Sequence, residues 1–371
     1  MVDRRLIENF DWWILLVFFA IILVGLVALY SALYQQIQAS ATNNLFIRQV
    51  AWLLMGLVCF VGFLMIDYQK LKHFSLWSYL AVVLLLLLVP VVGTEVNGAK
   101  RWLSLAGVRF QPSEFMKLII VLHLANYFSS HEIKTYPRLK EFVVPVLLTA
   151  IPVLLILLEP DLGTALMVLI AAMTLIYFIG IRLKFVLILL IVTLPMIWPV
   201  WNYALKPYQK ERILILLSPE RDPLGAGYHI RQSKIAIGSG KLWGKGFLNG
   251  TQTKLRFLPE KHTDFIFSVL AEEWGFLGCG LLLSLFAALV YLAFRVARRS
   301  KDRFGALLVI GMTGLILWQM VINIGMVLGM MPVVGIPLPF VSYGGSSLLT
   351  LCIAIGLIEN VSMRRYVFHS R

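Results

Sequence analysis

WWILLVFFAIILVGLVALYSAL, residues 12–33, runs for twenty-two positions without a charged side chain. About 20 apolar residues carry a helix across the hydrocarbon of a bilayer, so this run is a membrane span. No small-residue cleavage site follows it, and it is expected to stay as an anchor, not to leave as a signal peptide. Nine more runs of the same character lie at 48–66, 76–94, 113–129, 142–158, 163–181, 184–201, 265–294, 305–328 and 345–362. The expected fold is therefore all-α: a polytopic membrane protein of about ten transmembrane helices, forming one domain over residues 1–371. The connections around the sixth and seventh runs are so short that 163–181 and 184–201 read as a hairpin with loose edges.

Composition points the same way. The 371 residues are 60% hydrophobic and only 14% charged, where a soluble domain carries about 25% charged residues. A net charge of +14 would raise the question of nucleic acid in a soluble chain. Here it belongs with lipid head groups and cytoplasmic loops, and no nucleic-acid partner is expected. With ten spans and the N-terminus inside, seventeen Lys and Arg fall in inner segments. The short outer connections hold four, Arg48, Lys100, Arg101 and Arg109. That bias puts both termini in the cytoplasm. Cys59, Cys279 and Cys352 each lie in an apolar run with no metal-site or disulfide spacing.

One outer connection is long. Residues 202–264, between the seventh and eighth spans, hold eleven Lys or Arg and five Asp or Glu. A loop of that length crosses regardless of its charge, and long loops without a domain of their own are functional or disordered. Its aromatic, Ile and Gly content argues for order. Within it, Gly238-Ser239-Gly240-Lys241-Leu242-Trp243-Gly244-Lys245-Gly246 fits neither nucleotide-binding glycine pattern. Such a turn can still cradle phosphate through backbone N–H groups, or it can be an interfacial turn whose lysines meet head groups. Arg212, Arg231 and Lys234 add cations upstream, either for the same anion or simply solvated.

Charges inside apolar runs are costly and therefore informative. Glu114 and Lys117 open the fourth span after Pro112 and share one helix face. They read as a structural ion pair or as a pair lining a polar cavity. Asp161, between the fifth and sixth spans, is a helix cap or a cavity carboxylate. Asp264 sits at the mouth of the eighth span with Glu260 and His262 beside it. Three readings stay open: a cap, a general base in a polar pocket, or a metal site shared with His262. The stretch Met331 to Ser347 holds three prolines and several glycines, with Ser342 among them. Broken backbone beside a bilayer is tolerated where it lines a wet cavity, which suits a transporter or an enzyme.

Several of these segments resemble the SEDS family (shape, elongation, division and sporulation) of bacterial wall proteins. The matching pieces are Arg109 to Glu114, Pro160 to Thr164, Asp222 to His229, Gln232 to Gly240, His262 to Phe267 and Pro339 to Ser347. Gly335-Ile336-Pro337-Leu338-Pro339 and Phe257 to Asp264 are closer to the elongation branch than to the division branch. Lys241 departs from the pattern, since a second glycine often follows Gly240.

The resemblance implies a peptidoglycan glycosyltransferase that polymerises lipid II, the undecaprenyl-diphosphate-linked disaccharide-pentapeptide, outside the cytoplasmic membrane. It implies a class B penicillin-binding protein as crosslinking partner, with other elongation-complex membrane proteins nearby. The family's essential aspartate corresponds to Asp264, and its Glu–Lys pair to Glu114 and Lys117. Asp264 would then take the proton of the acceptor 4-hydroxyl, in a single displacement that turns an α-linked donor into a β-linked polymer. The departing diphosphate needs Lys or Arg, or a divalent cation such as magnesium or manganese. Arg212, Arg231, Lys234, Lys241 and Lys117 are the candidates. Asp161, His262 and Ser342 are expected to support the cavity. The competing readings are a lipid II flippase and a non-catalytic scaffold. Polar residues concentrated in the outer segments, not midway along many spans, favour the enzyme.

Overall fold

In lipid every backbone N–H and C=O must be satisfied within the protein, and an apolar run does this by becoming helix. The computed structural model describes residues 8–39, 45–96, 99–105, 108–131, 140–180, 225–254 and 261–365, with a few isolated positions between 198 and 222. Among the described residues, nine long helices follow the apolar runs: α1 (Trp12–Ala39), α2 (Leu45–Met65), α3 (Tyr68–Val92), α4 (Pro112–Ser130), α5 (Lys140–Leu158), α6 (Leu162–Gly180), α9 (Ile266–Arg298), α10 (Arg303–Val327) and α11 (Gly345–Met363). Two shorter ones, α7 (Ala226–Gly240) and α8 (Thr251–Lys254), lie in the long loop. The expected span 184–201 falls almost wholly outside the described residues.

Eight of the long helices have the length and composition to cross a membrane. The ninth, α4, is made more polar by Glu114, Lys117, His123 and Asn126, and it is packed against α3, α6 and α10. Large apolar side chains such as Leu16, Leu23, Leu54, Leu84, Leu154 and Leu281 face outward from the bundle. That is the surface a bilayer requires. The hub is α11, buried along its whole length. It lies close along α2, where a methyl on Gly356 would sit 3.0 Å from the Phe60 carbonyl and one on Gly56 2.9 Å from the Cys352 sulfur. Small residues let helices approach this closely in membranes, where apolar burial gives little drive.

Two features differ from expectation. The third span starts at Tyr68 and not at 76, because Asp67 caps the helix by accepting the Gln69 N–H at 3.0 Å and the polar turn after it stays helical. The connection between α3 and α4 folds as a three-stranded antiparallel sheet, β1 (Thr94–Val96), β2 (Ala99–Leu105) and β3 (Val108–Phe110), an addition to the helical bundle. Strands of three residues, such as β1 and β3, carry almost no periodic signal.

The two ends of the bundle are distinct. At one end Arg295 pairs with Asp11 at 2.5 Å, the Asp11 N–H donates to Glu359, and the Tyr68 hydroxyl donates to Asp302. Asn360 donates to the carbonyls of Phe63 and Ile66 and accepts from Arg364 at 2.7 Å. These bonds tie α1, α2, α3, α9, α10 and α11 together, and this end carries Lys70, Lys72, Arg295, Arg298, Arg299, Lys301, Arg303, Arg364 and Arg365. At the opposite end lie the sheet, α7 and the starts of α4, α6, α9 and α11.

The glycine-rich turn does not form a phosphate cradle. Helix α9 is broken at Gly275, whose φ of +66° suits glycine and not a side-chain-bearing residue. The break frees backbone groups that the turn takes up. Lys245 and Gly246 donate to the carbonyls of Glu272 and Glu273, and Phe276 and Leu277 donate to those of Lys241 and Leu242. The Gly244 N–H donates to Gly240 at 2.7 Å. Those donors are used inside the protein, so the turn is a docking seam between the long loop and α9.

Candidate active site

A cavity of about 470 Å³ opens at the end of the bundle opposite the basic network. Its walls come from the N-terminal turns of four helices. Gln111 and Glu114 belong to α4, Asp161 and Thr164 to α6, Thr263 and Asp264 to the turn entering α9, and Ser346 and Ser347 to α11. Strand β2 adds Arg101, and the loop before α11 adds Gly335 and Tyr343. Each helix N-terminus carries about half a positive charge, though at α6 the Thr164 N–H is already given to Asp161. Four of them around one space make it suited to an anion.

Asp264 is half-buried here, its carboxylate facing Gly335, where a built methyl would lie 3.7 Å from Oδ2. Its backbone is held at three successive residues. Asn323, fully buried in α10, donates through Nδ2 to the carbonyls of Asp264 at 2.9 Å and Ile336 at 2.8 Å. The Ser342 hydroxyl donates to the Thr263 carbonyl at 2.5 Å and accepts the Leu338 N–H at 2.8 Å. The Tyr343 N–H donates to the His262 carbonyl at 2.8 Å. The proline-broken stretch 331–344 is thus a brace for the aspartate. The His262 ring lies tilted against Tyr343, with ring centres 5.9 Å apart. Burial pushes the Tyr343 phenol up, with Arg48 opposing, so it remains a neutral hydroxyl.

Below the cavity floor, Lys117 and Glu114 form a buried ion pair at 2.7 Å. Glu114 reaches the cavity and Lys117 sits one turn deeper. Asp161 lines the cavity but its oxygens are occupied. Thr164 donates from its N–H at 3.1 Å and its hydroxyl at 2.8 Å, and Gln111 from Nε2 at 2.6 Å. It caps α6 and ties α4 to it. Ser346 accepts the Gln111 N–H at 3.2 Å, joining α11 to the same cluster.

Among the described residues that line the cavity, the cation is Arg101. It donates to the carbonyls of Glu159 at 3.1 Å and Pro160 at 2.5 Å, which hold its guanidinium against the α5–α6 turn. Glu159 beside it is buried, and neither carboxylate oxygen has a hydrogen-bond partner. Burial, reinforced by Asp161 and opposed by Arg101, pushes its carboxyl up to about 8. Three of the expected diphosphate ligands are placed elsewhere. Arg231, Lys234 and Lys241 are exposed and do not line the cavity, with Lys234 lying over Gly329. Arg212 and Glu260 lie outside the described residues.

Arg101, Asn323 and Tyr343 are therefore site residues that sequence reasoning left without a role, and Gln111 reads in sequence only as a cap of the fourth span. Asn323 carried the clearest signal, a polar side chain deep in an apolar run. Arg101 counted only as an outer positive charge, since nothing in its neighbourhood announces the carbonyls that hold it.

A multi-pass membrane bundle with one polar, anion-suited cavity at one end is the class that fold and site define. The family model described as cell cycle protein, covering FtsW, RodA and SpoVE, matches residues 11–367. The chain belongs to this family, the SEDS membrane proteins. It is 38% identical to the peptidoglycan glycosyltransferase MrdB of Escherichia coli over 357 residues, 96% of this chain and 94% of that protein. A solved structure described as the structural coordination of polymerization and crosslinking by a peptidoglycan synthase complex superposes with a TM-score of 0.82 at 35% identity, covering 97% of this chain and 99% of that one. The rod shape determining protein RodA of Thermus thermophilus superposes at 0.71 with 32% identity, covering 97% and 98%.

Proposed function

We propose that this chain is a peptidoglycan glycosyltransferase of the bacterial cytoplasmic (inner) membrane that polymerises lipid II during cell elongation. The observation that carries the reading is the cavity itself: a braced carboxylate, Asp264, facing a space ringed by four helix N-termini and Arg101. The basic end of the bundle belongs in the cytoplasm by charge bias, which turns the cavity to the outer face, where lipid II presents its sugars.

Asp264 accepts the proton of the acceptor 4-hydroxyl as that oxygen attacks the donor's anomeric carbon. The C–O bond to the lipid diphosphate breaks on the opposite side, inverting the centre. The leaving diphosphate gains charge, and Arg101 with the converging N-termini stabilises it. Lys117 fixes Glu114 beneath the site. Asn323 and Ser342 hold Asp264 in place, since a displacement of about 1 Å costs on the order of 10²-fold in rate.

Among the described residues no group of three His, Cys, Asp or Glu side chains is placed to hold a metal ion by itself. No step is routed through one. Magnesium or manganese carried on the diphosphate would bind mainly through substrate oxygens, which a chelator tests. The likeness to a polymerising and crosslinking synthase complex supports a class B penicillin-binding protein as partner, beside other elongation-complex membrane proteins.

The test is polymerisation of purified lipid II by the wild-type chain with its crosslinking partner, beside Asp264→Asn, each with and without chelator. Glycan polymer is expected from the wild type and none from the variant. Polymer from a folded Asp264→Asn sinks the reading, and lipid II translocation without polymer favours the flippase.

A further inference from the structure

At the basic end of the bundle, far from the active-site cavity, the last turns of α9 carry Arg295, Arg298 and Arg299. With Tyr291 and Phe294 they line a second pocket, of about 440 Å³. Spacings of three and four residues put the guanidinium groups on one helix face. One of them is already committed, since Arg295 spends Nη2 on Asp11 at 2.5 Å. Its Nε–H is buried and has no hydrogen-bond partner. Among the described residues no carboxylate pairs with Arg298 or Arg299, and both are exposed.

A helix C-terminus calls for about half a positive charge. Three arginines less one aspartate leave roughly four times that, together with an orphaned donor. The apolar half of the pocket is equally specific. Phe294 packs against Phe178 of α6 with ring centres 5.8 Å apart, and Tyr291, one turn further into the bundle, is 69% exposed. Charge at the rim and aromatic surface below it match a molecule with a phosphate head and hydrocarbon behind it. A free phosphate would use only the first half.

We propose that this pocket binds the phosphodiester head group of an anionic phospholipid from the leaflet at the basic end. Arg298 and Arg299 grip the phosphate oxygens, the Arg295 Nε–H completes the set, and the acyl chains run along Tyr291 and Phe294. Arginine forks suit phosphate oxygens in this way. Through Arg295 and Asp11 the bound lipid braces α1 against α9, and through the Asp11 N–H it reaches Glu359 of the buried hub helix.

The test is retention of phosphatidylglycerol and phosphatidylcholine by the full chain in neutral detergent, read by native mass spectrometry and by thermal stability. Wild type is expected to hold phosphatidylglycerol in preference and to be stabilised by it. Loss of two arginines at an anionic head group weakens binding about thirtyfold, so Arg298→Gln/Arg299→Gln is expected to lose the preference. Arg298→Lys/Arg299→Lys, which keeps the charge, retains most of it. Should the glutamine variant not fold, competition between the two lipids on wild type decides alone. Equal retention of both lipids by wild type, or undiminished preference in a folded glutamine variant, overturns the proposal. Equal stabilisation by inorganic phosphate without lipid also overturns it, reducing the pocket to a plain anion site.

Discussion

Asn323→Ala tests the brace behind the proposed base, Asp264. The side chain has no exposed surface, and its two N–H bonds go to the carbonyls of Asp264 and Ile336 at 2.9 and 2.8 Å. Truncation leaves both carbonyls buried and unmatched. Each such loss costs about 1–3 kcal/mol, so the pair costs roughly 2–6 kcal/mol before the loop relaxes. Relaxation is the functional consequence. The turn at 262–264 would still be held by Ser342 and Tyr343, so the fold survives while Asp264 gains freedom at its own carbonyl. A drift of about 1 Å at the base lowers the rate on the order of 10²-fold. The assay is lipid II polymerisation, followed by gel-resolved glycan products at saturating substrate, beside thermal stability of the same preparation. The expected pattern is a lowered kcat with KM little changed and a lowered Tm. A variant that loses stability yet polymerises at the wild-type rate would refute the claim that Asn323 acts on Asp264, leaving it an ordinary packing residue. Ser342→Ala, which removes the neighbouring bond to Thr263, should shift kcat in the same direction and by less.

Other expectations follow from the same geometry. Breaking the Glu114–Lys117 pair on one side leaves a buried charge and should cost about 3–5 kcal/mol; thermal denaturation should show Glu114→Gln/Lys117→Met more stable than Lys117→Met alone. Arg101→Ala should lower kcat/KM for lipid II at least on the order of tenfold, with Arg101→Lys only partly rescuing, because lysine cannot hold both carbonyls and still face the cavity. Glu159 gives a pH signature. Its folded carboxyl keeps its proton up to about 8 while the unfolded one loses it near 4.3, so wild-type stability falls as pH rises through that window and levels above it. Glu159→Gln lacks this loss, so its advantage in Tm over wild type should grow from pH 5 to pH 9; a constant difference refutes the assignment. Gly275→Ala forces a side chain into a φ of +66° and should loosen the seam to residues 241–246, read as faster proteolysis of the long loop.

What could be read from the chain follows from what each physical signal covers. Apolar length and charge bias reveal helices, and eight described helices have the length and composition of spans. The polar turn at 68–75 escaped because hydropathy cannot show that Asp67 caps it. The Gly275 break escaped because a glycine in an apolar run looks like packing until the turn that fills the gap is seen. Costly charges showed the site's members: Glu114, Asp161 and Asp264 do meet in one cavity. Which cations line the cavity was not legible, for a related reason. Lysines and arginines in a long loop are conspicuous by number, but exposure makes them cheap, and number says nothing about reach. Arg101 is singled out only by two carbonyls 58 and 59 residues away.

The charge balance of the cavity also could not be read in sequence, because most of its positive side is backbone. Four helix N-termini meet there only because α4, α6, α9 and α11 all begin at the same end, and residues as far apart as Gln111 and Ser346 are bonded. A site built this way needs few side-chain cations of its own, and the positive charge of fixed dipoles cannot titrate or swing away. It can stabilise a departing diphosphate without a further side-chain cation being set beside Asp264. Each cation added beside a carboxylate favours its charged form and makes it a poorer base for the hydroxyl proton. On this argument, adding a lysine at Gly335, beside the Asp264 carboxylate, should strengthen anion binding and yet lower kcat. Measured binding of pyrophosphate against polymerisation rate would separate the two, and a Gly335→Lys variant with both improved would show that the dipoles are not what the chemistry depends on.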